Sequence, residues 1–412
     1  MKYLQNSLVK NVSWLFVVQI TNQILPLFTI PYLSRMLGLE IYGVLALCVS
    51  ICALASVLTD FGFDLWATSE IALRRDDVPY IGKLMTSIFI IKSLLLTVAF
   101  GAVILFSLFT KKYAAYSHEI LLVALPLISI TFTPTWFFQG LERMEFVAVP
   151  SLIAKLAYIV AVLLLVNGPD DLSTIIGAMA ATQALVVATS VIALHRFGYA
   201  FRRTNRAAVV TVFRNATAFF WSRAAVATYT SGGALFVGLL ASPQQLGIYA
   251  TAEQLYRGLQ SIASPLSQAI YPKMVREKDF LFLYRIVIGV ALVSIAGALT
   301  GIALSPFIVH IVFGPQFAGA SVILNVFFVT FVVSTTSSLL GYPLFGALNR
   351  LALANKSVFV AAASQLGLLS CLYYFELTSA FSVAMSVLLV ELVVLLIRLF
   401  WAAKLGPRFR LR

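Results

Sequence analysis

The sequence predicts an all-α polytopic membrane protein, with about 12 transmembrane helices in two pseudo-symmetric six-helix lobes around a central cleft. Three observations carry this. Of the 412 residues, 61% are hydrophobic and only 11% charged, against roughly 45–50% and about 25% in a soluble domain. That balance excludes a water-soluble globule, and equally a disordered chain, which needs low hydrophobicity. The apolar runs reach the ~20 residues a spanning helix needs. The two halves of the chain also repeat.

Charges, Gly and Pro punctuate the runs into twelve spans: 11–34, 41–63, 84–109, 120–140, 146–167, 172–195, 208–240, 247–271, 283–312, 317–345, 352–375 and 378–401. Lys2 and Lys10 precede the first run as in a signal peptide. The run is longer than a signal peptide's apolar region and lacks a small-x-small cleavage site, so it reads as an uncleaved first helix. An even number of spans puts both termini on one side. Of the 29 Lys and Arg, 22 fall in the tails, the even-to-odd loops or the adjoining helix edges. Only Arg35, Lys111 and Lys112 fall on the opposite side. Basic residues mark the cytoplasmic face, so both termini are expected there.

A shift of 207 residues carries Leu39, Ile41 and Tyr42 onto Leu246, Ile248 and Tyr249, and Leu141 and Arg143 onto Leu348 and Arg350. Six spans per half make this a parallel repeat about an axis along the membrane normal, an architecture of transporters. The expected lobes are 1–200, holding spans one to six with a basic linker from 196, and 207–412, holding spans seven to twelve. Span one carries Pro26 and Pro31. The same shift lands on Gly233 and Gly238 in span seven, beside Ser231 and Gly232. Pro26, Pro31, Gly232 and Gly233 thus read either as bending elements or as ordinary membrane-helix kinks.

The informative residues are charges stranded in apolar runs, each costing about 2.5–3.5 kcal/mol on insertion scales. Lys92, Lys155, Arg223 and Arg257 lie within spans, with Glu253 and Glu391. Their sum is positive and draws on both halves, which suits an anionic substrate such as a pyrophosphate: Arg offers bidentate contacts and Lys point-charge contacts. Glu253 and Arg257 stand four residues apart and can pair along one helix face. Tyr229, Tyr249, Tyr256 and Trp221 offer either packing or flat surfaces for sugars. Asp60 and Asp64 share a face near the end of span two and are expected to pair with Arg74 or Arg75. The alternative for them, as for Glu253 and Glu391, is a proton or cation site that couples transport to an ion gradient.

Other chemistries find little support. Cys48, Cys52 and Cys371 have neither metal-ligand nor disulfide-framework spacing, and His118, His195 and His310 are scattered. No metal site, cofactor or catalytic residue is expected. The net charge of +13 reflects topology, not nucleic-acid binding.

Two stretches carry a family signal: TDFGFDLWATSEIA (59–72) and FFQGLERMEFVAV (137–149), with the opening NVSWLFVVQITNQILPLFTIPYLSRMLGLEIYG (11–43). They resemble the polysaccharide-exporter branch of the multidrug/oligosaccharidyl-lipid/polysaccharide (MOP) superfamily, and within it the Wzx-type O-antigen flippases. The resemblance implies a MATE-like fold, with a cationic V-shaped cleft. It implies a multi-pass protein of the bacterial inner membrane that moves undecaprenyl-pyrophosphate-linked oligosaccharide from the cytoplasmic to the periplasmic leaflet by alternating access. Membrane lipid and other polysaccharide assembly proteins are the implied partners. The family's intramembrane basic residues correspond, by position in the hydropathy pattern, to Lys92, Lys155, Arg223 and Arg257. The competing readings are a lipid-linked peptidoglycan-precursor flippase, a MATE-type drug or cation antiporter, and, from another class, a membrane polysaccharide polymerase or ligase. An enzyme would need catalytic residues in sizeable exposed loops, and the loops on the side opposite the termini are short with few acids (Glu40, Glu119, Asp170, Asp171, Glu376).

Overall fold

The structure, a computed structural model, describes residues 25–230 and 232–405. Lys2, Lys10, the stretch 11–24 of the first predicted span, the side chain of Tyr229, Ser231 and the tail from 406 lie outside the described residues. All regular structure among the described residues is helical. Contacts divide the chain into two compact units: Met1–Leu37 with Cys48–Ala224, and Gly38–Leu47 with Ala225–Arg412.

The first unit contains α1 (Pro26–Asp60, of which Gly38–Leu47 counts with the second unit), α2 (Phe63–Leu73), α3 (Val78–Phe109), a 3₁₀ segment Lys111–Tyr116, α4 (Ser117–Leu122), α5 (Ala124–Phe132), α6 (Thr135–Gly140), α7 (Glu145–Leu165), α8 (Leu172–Arg196) and most of α9 (Arg206–Thr230). The helix runs through Pro31 and turns at Gly38, whose dihedrals (φ 73°, ψ 174°) are open to glycine. Spans one and two therefore meet at a single-residue corner. Asp77 caps α3 by accepting from the Tyr80 amide at 3.0 Å. The core of this unit is aromatic: Phe61, Phe63, Trp66, Trp136, Phe137 and Phe138 cluster with Ile71, Ile81, Met85 and Ile88. Lipid is as apolar as these side chains, so the cluster holds by close packing.

The second unit contains α10 (Gly233–Leu240), α11 (Pro243–Glu277), α12 (Phe280–Phe313), α13 (Ala320–Leu339), α14 (Tyr342–Ala347), α15 (Leu351–Tyr374) and α16 (Ala380–Leu405). Asp279 caps α12 through the Phe282 amide at 2.9 Å, and Ser242 with Pro243 behind it opens α11. Ile270, Met274, Leu283, Val287, Leu339 and Leu344 pack at the heart of one cluster.

The repeat is visible in the backbone. Phe132 ends α5 as Leu339 ends α13, and α6 (135–140) falls on α14 (342–347) under the same shift of 207. Each short helix then closes on a left-handed residue, Glu142 (φ 57°) and Asn349 (φ 53°). The next amides reach back across the turn, Arg143 to the Phe138 carbonyl and Arg350 to the Phe345 carbonyl, both at 2.8 Å. Predicted spans four and ten are thus broken at matching points.

Nine helical stretches among the described residues are long and apolar enough to cross a membrane, and this is a multi-pass membrane protein. Predicted spans seven and eight are not among the nine. They correspond to α9 with α10 and to α11, the helices that carry Arg223 and the Glu253–Arg257 pair, and their polar residues lower the hydropathy that would mark them.

Candidate functional site

The first unit builds its charge cluster on a broken helix. Asp60 ends α1, Phe61 (φ 48°) and Gly62 (φ 80°) are both left-handed, and α2 begins at Phe63. A left-handed phenylalanine is a genuine outlier, and such strain gathers at functional positions. It is held there by packing. The Phe61 ring stacks on Phe213 and Phe220, centroids 4.5 and 4.6 Å away. A Cβ at Gly62 would lie 2.7 Å from Phe219 Cβ and 2.8 Å from the Phe220 amide. Helix α9 is therefore pressed into the break. Arg223, one turn beyond Phe219 on the same face of α9, arrives over the two carboxylates that flank it. Its Nε stands 3.5 Å from Asp60 Oδ2 and its Nη2 4.0 Å from Asp64 Oδ2. Asp60 Oδ1 accepts from the Asp64 amide at 3.2 Å, while Oδ2 is buried and accepts no hydrogen bond.

Lys92 enters the same cluster from α3, 3% exposed. Its Nζ donates to the Thr131 carbonyl at 3.0 Å, and the Thr131 hydroxyl donates to Thr59 Oγ1 at 3.0 Å. Thr131 sits at the end of α5, where carbonyls lack helical donors and carry partial negative charge. The ammonium therefore closes a helix end while interacting with Asp60, Asp64 and Arg223.

The second unit gathers its charges on α11. Tyr249, Glu253, Tyr256, Arg257 and Gln260 form one polar stripe at helical spacing. Arg257 Nη2 donates to Glu253 Oε1 at 3.2 Å, as the i,i+4 spacing predicts. The Gln260 amide donates to the Tyr256 hydroxyl at 2.7 Å. The stripe lines a cavity of about 20 Å³ with Gly233, Phe327 and Glu391, room for about one water. Gly233 opens α10 directly against the Tyr249 hydroxyl, where a Cβ would overlap that oxygen. Tyr249 and Tyr256 pack on Phe327, centroids 5.5 and 4.9 Å away.

Arg398 is the residue that sequence reasoning passed over, since it was grouped with the basic helix edges. It is 8% exposed and donates from Nη1 to the Ser337 carbonyl at 2.7 Å and from Nε to Ser357 Oγ at 3.1 Å. It closes the end of α13 as Lys92 closes the end of α5. A small-residue lining of Ser337, Gly341 and Ser357 is the signal that marks it, because those residues leave room for a guanidinium: a Cβ at Gly341 would stand 3.0 Å from Nη1.

The structure thus sorts the expected site residues. Arg223 and Arg257 have side chains 38% and 37% exposed and are held by carboxylates. Lys92 is committed to a helix end. Lys155 is half-buried on α7. Asp60 and Asp64 pair with Arg223 and not with Arg74 or Arg75. Those two take Glu70 at 3.7 Å and Glu142 at 2.5 Å, because the break at Gly62 turns α2 and separates the aspartates from the end of span two. Glu391 interacts with Arg398. With Asp60, Asp64 and Arg398 counted, each cluster holds two positive and two negative side chains: Lys92 and Arg223 against Asp60 and Asp64, Arg257 and Arg398 against Glu253 and Glu391. The surplus of positive charge read from the sequence is balanced locally.

A helical membrane fold with a broken span in each repeat and an arginine held in reserve by carboxylates defines the class of the MOP-superfamily transporters. Solved structures agree on the fold. "Lipid II flippase MurJ, inward closed conformation" aligns over 95% of this chain and 87% of its own, with TM-score 0.73 and 14% identity. An inward-facing "multidrug resistance MATE family transporter of the MOP superfamily" aligns over 96% and 97%, with TM-score 0.67 and 13% identity. Residues 8–278, more than half the chain, match the family described as "Polysaccharide biosynthesis protein", and the chain belongs to that family. A protein of Escherichia coli (strain K12) named "Putative O-antigen transporter" is 26% identical over 91% of both chains. One of the same name from Shigella dysenteriae is 26% identical over 75% of this chain and 78% of its own.

Proposed function

We propose that this protein is a flippase for a lipid-linked oligosaccharide, carrying undecaprenyl-pyrophosphate-linked O-antigen or related repeat units from the cytoplasmic to the periplasmic leaflet of the inner membrane, with both termini cytoplasmic. The observation that carries the reading is the arginine that each unit keeps partly exposed within a membrane segment, Arg223 and Arg257, held by carboxylates and not capped into the protein. A guanidinium is the side chain best matched to a pyrophosphate. Family membership and the names of the relatives support the same cargo class. The work is physical and not covalent: the sugars and pyrophosphate leave water, and the arginines replace the lost hydration while the site is exposed in turn to each side. Lys155 is a further contact for the headgroup. Gly232 and Gly233, at the junction of α9 and α10, and Pro26 and Pro31 on α1 are the bending points.

The test is complementation of cells that lack their own O-antigen flippase. Arg223→Gln and Arg257→Gln, expressed at wild-type level, each cut surface polysaccharide by about tenfold or more, the equivalent of one lost charged hydrogen bond, and lipid-linked repeat units accumulate. Arg223→Lys keeps more than Arg223→Gln. Full surface polysaccharide in both glutamine variants removes the arginines from the mechanism. Rescue of a peptidoglycan-precursor defect in place of the O-antigen defect reassigns the cargo.

A further inference from the structure

We propose that the Arg223–Asp60–Asp64 cluster takes up a proton together with the anionic headgroup, so that cargo binding and protonation assist one another. The inference rests on the reading of the cargo as a lipid pyrophosphate.

The groups facing Asp60 are Asp64 from α2, Lys92 from α3 and Arg223 from α9. Two carboxylates and two cations balance while nothing is bound. Lys92 has no freedom to leave, being buried and bonded to the Thr131 carbonyl. Arg223 is different. It is partly exposed, and its contacts at 3.5 and 4.0 Å are longer than a charge-assisted hydrogen bond of about 2.7–2.9 Å. A pyrophosphate diester offers it bidentate oxygens and two negative charges, and the guanidinium turns to it.

The carboxylates it leaves are then two against one ammonium, on either side of a helix break and out of reach of bulk water. Two adjacent carboxylates in such a place do not both stay ionised. Asp60 Oδ2, buried and accepting no hydrogen bond, is the atom that receives the proton, which comes from solution and is shared with Asp64. When the headgroup departs, Arg223 returns and the proton leaves. The Phe61–Gly62 break matters here because it places the end of one helix and the first turn of the next around the same guanidinium.

The sign follows directly. A site that gains one proton on binding gains about tenfold in affinity for each unit the pH falls, across the range where the proton is taken up. An exchange in which proton and cargo compete has the opposite slope.

The experiment uses the full chain in lipid nanodiscs and geranyl-pyrophosphoryl-N-acetylglucosamine, a diester whose own charge does not change across this range. Titration calorimetry in two buffers of different ionisation enthalpy, repeated between about pH 5.5 and pH 7.5, counts protons per ligand. About one proton is taken up by the wild type. In Asp60→Asn the uptake disappears and the affinity loses its pH slope. Asp64→Asn, a second variant that spares the buried oxygen, lowers the uptake. Proton release on binding, or binding through Arg223 with no proton moved in the wild type, overturns the inference and leaves the proposed function standing. Probe binding unaffected by Arg223→Gln, or no binding at all, overturns the reading beneath it and the inference with it.

Discussion

The two charge clusters are built from the same kinds of residue in two different ways. Arg257 is held by Glu253, its neighbour one turn away on α11, so the pair travels as one piece with its helix. Arg223 on α9 is held by carboxylates more than 150 residues earlier in the chain, at the broken junction of α1 and α2. Any shift of α9 against that junction changes its contacts. The first cluster is therefore the one that senses helix movement, and the second is a fixed charge pair beside a small cavity. Both sit near a cation that never leaves: Lys92 on the end of α5 and Arg398 on the end of α13. These two come from different spans of their repeats, the third and the twelfth, yet close helices that end at matching positions. The broken helix came first in the repeat, and each unit found its own cation to satisfy it.

The largest effect that would test this comparison is loss of a helix-closing cation. Lys92→Met strands the carbonyls of α5 and leaves Asp60 and Asp64 with Arg223 alone. Arg398→Met strands the α13 carbonyls and Glu391. Removing one partner of a buried charged network costs about 3–5 kcal/mol. Both variants should unfold in detergent well below the wild type, with Arg398→Lys recovering part of the loss through one donor in place of two. If Lys92→Met unfolds like the wild type but fails in transport, Lys92 belongs with the cargo-binding residues and the symmetry between the two cations is broken.

A smaller effect separates the two junctions. At Gly62 the backbone is left-handed, and alanine there suffers both strain of about 1–2 kcal/mol and a clash with Phe219 and the Phe220 amide. No change of one side chain relieves the backbone part. At Gly233 the obstacle is the Tyr249 hydroxyl. Gly233→Ala should lose stability and transport, and Tyr249→Phe in the same chain should restore a measurable part. A double-mutant cycle on thermal unfolding reads the coupling. Coupling near zero would mean that the α9–α10 junction relaxes by moving and does not bear on Tyr249.

The fold was almost wholly legible in the sequence, because apolar runs and their interruptions are local. Spans three, five, six, nine, eleven and twelve fall within a few residues of their helices. The shift of 207 found in scattered identities reappears in helix ends and left-handed turns. The site was legible only where its chemistry was local. Glu253–Arg257 followed from spacing. The partners of Asp60 and Asp64 did not, because Gly62 was read as one more small residue in a span and not as the point where α9 enters. TDFGFD holds that signal: a glycine between phenylalanines, flanked by acids, inside an apolar run. Arg398 was missed because a basic residue near the end of a span looks like an anchor, and only the serines and glycine around it, distant in sequence, say that it turns inward.

The smallest effect concerns the pair that was expected to serve the aspartates. Arg75 donates to Glu142, outside the spanning segments, and that hydrogen bond, together with the guanidinium charge, holds the Glu142 carboxyl below its ordinary range against a weaker opposing effect of burial. A depressed carboxyl contributes stability that is present above its unfolded-state value and lost as the pH falls through the folded one. Both side chains are partly exposed, so the pair is worth only about 0–1 kcal/mol. Arg75→Ala should change the unfolding temperature slightly at neutral pH and not at all in acid, where Glu142 is protonated in both proteins, and it should leave probe binding at Arg223 untouched. An effect of Arg75→Ala on that binding would tie the loop after α2 to the junction before it, and the two charge clusters would then differ in one more respect: the first would extend through α2 to the membrane surface, while the second stays on one helix.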